Sequence, residues 1–471
     1  MARNETAQTQ EYFEKRSLKK GAAGWPLLMG LGVAYVISGD FSGWNYGIAY
    51  GGWLGLAIAF VLMGCMYVCT VLGEAEMSSA LPTAGAGFAF SRCAMGRFGG
   101  FLTGMAITVE YVCAPAAIST FIANYFLQLG IIPEDFPFLL LVGIIFIVFI
   151  GIHVFGVGEA LKLMLVITVV GAIALAAFAF GAAPHFDAAA LFDIAPDEGA
   201  TTALPFGVSG LLAALPFGIW FFLGVEGVAL AAEEAKDPRR DIPKAIIGSM
   251  VVLIGTGLIV LVLAAGVTGS EFMGASSAPL VDALNIANLP GLAFFVNVAG
   301  LFGLVASFFS LIYAGSREIF ALSRAGYLPT FLSLTGSRKT PWVALLVQGV
   351  IGFALVAIVK DGDVLLNMAV LGACLSYVLM NLSHVILRLR QPNMKRGWKT
   401  PGGALTTGVG LALSAIAVVS TFFVDAIASM GIVCVLAVGC VYFFAYARKR
   451  LISNAPEEEL YKLEGAGQEL R

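Results

Sequence analysis

Three acidic residues stand inside long apolar stretches, where acids are costly: Asp40, Glu110 and Glu226. A carboxylate at bilayer depth has to be protonated, paired with a cation or wetted by a cavity. Glu110 lies eleven residues past Gly99, which at about 1.5 Å per helical residue is roughly 16 Å into its span. No lysine or arginine falls at that depth, so its partner is a proton or a cationic amine, and the sequence leaves both roles open. Asp40 sits in Ser38-Gly39-Asp40-Phe41-Ser42-Gly43, and Glu226 in Trp220-Phe221-Phe222-Leu223-Gly224-Val225-Glu226-Gly227. Paired glycines beside an acid suit a helix that breaks around a site better than a continuous helix facing lipid.

The elements that hold these residues follow from composition. Of 471 residues 59% are hydrophobic and 12% charged, against about 25% charged in soluble domains, so the chain reads as a polytopic membrane protein. A hydrocarbon core of roughly 30 Å needs about 20 helical residues. Twelve candidate spans meet that length, near 25–50, 53–73, 98–129, 136–156, 159–182, 207–232, 243–268, 290–322, 341–359, 363–390, 404–424 and 428–447. Their length and Ala/Leu/Gly/Ile content predict an all-α membrane protein and exclude a barrel.

Basic residues flank cytoplasmic helix ends. Placing 26 of the 27 basic residues on one side, among them Arg92, Arg97, Lys162, Arg239, Arg240, Arg317, Arg324, Arg388, Arg396 and those of both termini, leaves Lys360 alone on the other. Both termini are then cytoplasmic. The outer loops read as acidic, with Glu134, Asp135, Asp187, Asp282 and Asp363 among their residues. The first 20 residues are polar and the first apolar run is full length, so no cleaved signal peptide is expected. The seven cysteines form no CxxC pair and read as free thiols.

The interrupted spans are numbers one and six, five apart. Interruptions at corresponding places in two halves point to an inverted repeat with a site at the midplane, here five spans plus five. The alternative is that each glycine only permits close helix packing.

Several motifs resemble the amino acid-polyamine-organocation transporter superfamily. They are Gly224-Val225-Glu226-Gly227 followed by Glu233-Glu234 through Pro238, Arg240, Ile242, Pro243 and Ala245; Glu74-Ala75-Glu76 through Pro82, Gly85 and Gly87; and Ser316-Arg317 through Arg324 and Pro329. The segment Ser38–Gly47 with Glu110-Tyr111 is most similar to the ethanolamine permease branch. The resemblance implies a leucine-transporter-type fold of twelve transmembrane helices with a 5+5 inverted repeat and discontinuous helices 1 and 6. It divides the chain into a cytoplasmic segment 1–24, a transport core 25–390, two further helices in 391–450 and a cytoplasmic tail 451–471. It also implies secondary transport by alternating access across a bacterial inner membrane.

In such a fold the first half of each broken helix ends at the midplane with free carbonyls, which attract an ammonium, and the second half begins with free N–H groups, which attract a carboxylate. Asp40 follows the stretch Ile37-Ser38-Gly39 that matches the helix-one motif. It is expected to cap that N–H end itself, which would disfavour an α-amino acid. Trp220 matches an aromatic that closes over the substrate, and a cation over such a ring gains about 0.5–2 kcal/mol.

The expected substrate-binding residues are Ser38, Gly39, Asp40, Ser42, Glu110, Tyr111, Trp220, Phe221 and Gly224, with Phe222 facing away and Glu226 serving proton coupling or gating. Glu74 and Glu76 read as inner-gate or loop-anchoring groups. The ligand is a small cationic amine, ethanolamine or a close amino alcohol, with an amino acid or polyamine as the alternative. A proton or sodium ion could drive it. Some relatives carry a coupling lysine midway along helix five, but Gly171 stands there, and Ser307 with Ser310 is the only hint of a sodium site. No cofactor, resident metal or nucleic-acid partner is expected. Three histidines without HExxH or metal spacing argue against an enzyme.

Overall fold

The computed structural model describes residues 15, 21 and 23–452 apart from 131, 134, 156 and 157, and for 155 and 158–164 the backbone only. Most of the expected 1–24 segment and the 451–471 tail, together with Glu134, lie outside the described residues, as does the side chain of Lys162.

The chain forms α1 (Trp25–Val36), α2 (Ser38–Phe41), α3 (Tyr46–Ala80), α4 (Ala86–Gln128), α5 (Phe138–Phe155), α6 (Gly158–Ala182), α7 (Gly207–Trp220) and a 3-10 segment Val225–Glu234. After these come α8 (Pro238–Thr268), α9 (Ser270–Ala275), α10 (Pro279–Ile286), α11 (Pro290–Arg324), α12 (Trp342–Val359), α13 (Gly362–Arg390), α14 (Ala404–Val424) and α15 (Ala426–Ala445). Among the described residues ten helices are long and apolar enough to cross a membrane, and Trp25–Phe41 and Phe138–Val154 are shorter apolar helices. No strand forms among them, and the sole extended pairing is an isolated bridge between Ala23 and Ala235.

Two positive-φ glycines divide helices that are otherwise continuous. Gly52 (φ 69°) separates Tyr46–Gly51, which completes span one, from span two without an intervening loop. Gly96 (φ 78°) divides α4, so that residues 86–95 form a separate, largely buried helical piece before span three. The region after span seven also departs from the expected plain loop, because α9 and α10 fold there, and Asn45 holds them by donating to the carbonyls of Met273 (2.9 Å) and Ser276 (2.8 Å). The core helices are α4 packed along α13 and α11, and α3 packed along α7, while α1 lies against α8. The bands of exposed Ile, Val, Leu and Phe on α5, α8, α12, α14 and α15 are the lipid-facing sides that a polytopic bundle requires.

The three sequence motifs converge at one end of this bundle. Arg317, fully buried on α11, donates to Glu234 (3.1 Å) and stacks over the Tyr313 ring. Arg324 pairs with Glu233, whose carboxylate also accepts the N–H of Ala84 beyond the end of α3. Glu76 is met by Arg388 (2.7 Å), Arg396 (2.7 Å), His384 (3.2 Å) and the Thr400 N–H (2.7 Å). Span two is thereby tied to the segment joining α13 and α14. A buried carboxylate held by several donors is costly to neutralise piecemeal, because its cations stay behind. Glu76→Gln should therefore destabilise the protein by about 3–5 kcal/mol, seen as a lower melting temperature in detergent, and an unchanged melting temperature would refute the anchoring role.

Candidate functional site

The two interrupted helices meet. Ile37 keeps right-handed α geometry between α1 and α2, so the first half of span one runs on to Phe41. The chain then turns at Ser42, which is extended, and Gly43 (φ 96°), before α3 starts after Asn45. Span six stops at Trp220 and resumes after Gly224, whose φ of 100° lies in the left-handed region that favours glycine. A Cβ on Gly39 would lie 2.7 Å from the Trp220 carbonyl, so only glycine allows this approach. The Trp220 indole donates to the Ser42 carbonyl (3.0 Å) and its ring sits edge-on to Phe121. Tyr125 donates to the Phe41 carbonyl (2.9 Å), taking up one of the carbonyls that the broken helix frees.

Ser307 on α11 anchors the first half from behind. Its hydroxyl donates to the Ala34 carbonyl (2.7 Å) and accepts the Ser38 N–H (3.0 Å). The neighbouring Ser310 hydroxyl is buried without a hydrogen-bond partner. Among the described residues no group of three or more His, Cys, Asp or Glu is placed to hold a metal ion.

The acids divide into two groups. Glu110 and Glu226 are neighbours across two spans: Tyr111, the residue after Glu110, bonds Glu226, while neither Glu110 oxygen has a hydrogen-bond partner. Tyr377 (2.9 Å) and Tyr111 (3.4 Å) both donate to one oxygen of Glu226, and Tyr67 bonds the Tyr377 hydroxyl at 2.6 Å. Gly372 on α13 permits this arrangement, since a Cβ there would lie 2.8 Å from the Glu110 nitrogen. Tyr35 donates to the Gly227 carbonyl (3.3 Å), joining α1 to the same cluster. Glu74 on α3 and Glu318 on α11 are the further buried acids in the electrostatic neighbourhood of this pair.

Asp40 is separate. It lies in the last turn of the first half of span one, beside Thr256 of α8, and neither carboxylate oxygen has a sound hydrogen bond. The expectation that it caps the second half is corrected here, because that half begins after Asn45 and no side chain caps it. The helix persists for one turn beyond the Ile37-Ser38-Gly39 stretch, and this carries Asp40 to the carbonyl end.

The aromatic run also divides. Trp220 faces the break in span one, and Phe221 packs on Trp44 (5.6 Å between centroids) and Phe60 (5.0 Å). Phe222 turns to Phe60 and Tyr67. Tyr67, Tyr125 and Tyr377 were missed in the sequence, because a tyrosine in an apolar span looks the same whether it packs or bonds.

Residues 27–446 match the amino acid permease family. The chain belongs to that family. It is 30% identical over 406 residues to an uncharacterized transporter of Rhizobium meliloti, covering 83% of this chain and 84% of the relative. A branched-chain amino acid permease of Bacillus subtilis is 25% identical, covering 92% and 94%, and a methylthioribose transporter of the same organism is 25% identical, covering 91% and 92%. A crystal structure of a mutant manganese transporter of Eremococcus coleocola shares the fold, with a TM-score of 0.56 at 16% identity, covering 92% of this chain and 98% of that one. The protein is thus a multi-pass membrane transporter and not an enzyme.

The close approach of spans one and six gives a direct test. In Gly39→Ala the new methyl meets a backbone carbonyl that cannot rotate aside, so transport of whatever solute the wild type carries should fall at least about tenfold while the protein still elutes as a monodisperse peak. Wild-type transport in this variant would show that the two breaks need not touch.

Proposed function

We propose that this amino acid permease family member is a secondary transporter that imports a small solute bearing a primary ammonium group, working by alternating access with a twelve-helix, 5+5 arrangement. The observation that carries the reading is the meeting of Gly39 with the Trp220 carbonyl, closed by the Trp220 indole on Ser42. It brings together the carbonyl ends of two broken helices, and such ends attract positive charge. Asp40 adds a carboxylate to the last turn before the break, where the helix dipole is already negative.

An amino acid fits both ends of this enclosure. Its ammonium takes the carbonyl side, and its carboxylate takes the N–H end at Asn45 and Tyr46, which no side chain occupies. The branched-chain permease among the relatives supports this substrate class. Ethanolamine is the second reading, favoured by the Ser38–Gly47 and Glu110-Tyr111 motifs; it uses the ammonium side alone. In either case we place the protein in a bacterial plasma membrane with cytoplasmic termini, as the distribution of basic residues supports.

Uptake of labelled leucine, alanine and ethanolamine into proteoliposomes tests this, with choline and γ-aminobutyrate as competitors. Saturable uptake of at least one primary-ammonium solute is expected, with quaternary choline competing at least about tenfold more weakly. Trp220→Ala should raise the half-saturating concentration by about 2–30-fold, as 0.5–2 kcal/mol of cation–π energy implies. Absence of saturable uptake of all three solutes would end the proposal. Competition by leucine but not ethanolamine, or the reverse, separates the two readings.

A further inference from the structure

A second polar site lies outside the enclosure. It is a cleft of about 410 Å³ bounded by the end of α4, by α10 and by the start of α11. Asn297 lines it near the start of α11, whereas Arg317 and Arg324 stand toward the end of that helix. The cleft is therefore at the opposite end of the bundle from the ion pairs.

Its place relative to the break in span one follows from helix geometry. A Cβ on Gly300 would lie 2.8 Å from Phe41 Cδ1 and 3.1 Å from Tyr125 Cε1, and Tyr125 donates to the Phe41 carbonyl. Gln128 follows Tyr125 by three residues and Asn297 precedes Gly300 by three. Residues three apart share a helix face and are separated by roughly 4.5 Å along the axis. The cleft is thus about one turn beyond the carbonyl end of the broken helix.

The groups within it suit a primary ammonium. Asp282 of α10 carries a charge, and one of its oxygens accepts the Ser276 hydroxyl (2.6 Å). Among the described residues none that lines the cleft is basic, so that charge has no cation beside it there. Gln128 gives an amide N–H to Ser277 (3.1 Å), which leaves its carbonyl oxygen as an acceptor. Asn297 is only 5% exposed, and its Oδ1 is buried without a hydrogen-bond partner, a costly state unless a donor arrives. A primary ammonium brings three N–H donors and no acceptor, and here one carboxylate and two amide oxygens can meet them. Leu129 and Phe294 give the rest of such a solute an apolar wall. A calcium ion would want about 6–8 oxygens, which these side chains do not supply.

We propose that this cleft is an outer binding site that takes up the ammonium group of the solute before it enters the enclosure. Asp282 sets the sign of the charge admitted, and the Asn297 and Gln128 amides select for N–H donors. The inference rests on the import reading above for the identity of the solute, but occupancy of the cleft can be measured without transport.

Asn285 lines the cleft and is exposed, so Asn285→Cys reports occupancy through its rate of labelling by a membrane-impermeant maleimide, with the unsubstituted protein as background. Saturating leucine or ethanolamine should slow that labelling severalfold. Adding Asp282→Asn should raise the protecting concentration at least about tenfold, as loss of one charged hydrogen bond implies, and unchanged protection would overturn the proposal. Ser276→Ala keeps the charge and should leave protection intact; a loss equal to that of Asp282→Asn would show that Asp282 only braces the loop and would overturn it too. Equal protection by sodium chloride or by choline would do the same, since neither brings N–H donors. Protection should persist in Gly39→Ala, and its loss there would mean that the label reports the enclosure and not the cleft. Saturable uptake without protection would sink the outer site and leave the import reading intact. Protection without uptake would uphold the cleft as an ammonium site and end the import reading.

Discussion

A chain that unwinds at bilayer depth exposes N–H and C=O groups that hydrocarbon cannot satisfy, and the rest of this bundle is arranged around that cost. Around the break in span one, the Phe41 carbonyl goes to Tyr125, the Ser42 carbonyl to Trp220, and the Ser38 N–H to Ser307. These partners come from three different helices, α4, α7 and α11. The lipid-facing helices can be plain apolar rods because the enclosed ones absorb all of the irregularity.

The second consequence concerns charge. The chain keeps its buried arginines at one end, where Arg317 and Arg324 meet Glu234 and Glu233. Glu110 and Glu226 are left without such a partner toward the middle of the bundle. The ion pairs link the end of span six to span eight and the tyrosine cluster links span six to spans three and ten, so the second half of span six is held on both sides by polar bonds. Its 3-10 winding is a poorer helix than an α-turn, and such a segment is easier to rearrange than the α-helices around it.

Much of this was legible in the sequence, and the reasons are local. Paired glycines beside an acid placed the breaks in spans one and six, and the acidic and basic motifs that turned out to be mutual partners were each visible on their own. The failures came from geometry that a sequence does not encode directly. Asp40 changed its role because the helix ran one turn further than its glycines suggested, which moved the side chain to the opposite end of the break and toward Thr256. Tyr67 and Tyr377 gave no signal, since their hydroxyls matter only through a contact between residues 310 positions apart. The helical piece before Gly96 was hidden because a kinked helix keeps its apolar pattern.

The Ser307 hydroxyl bonds both the Ala34 carbonyl and the Ser38 N–H, and these two groups lie a full helical turn apart on either side of Ile37. One small side chain thus splints the end of α1 to α2, and the whole of 25–41 is braced against α11 as a single lever. A single hydroxyl thereby meets both backbone groups that flank Ile37, and the segment reaches the break as one continuous piece held to α11 rather than as two loose ends.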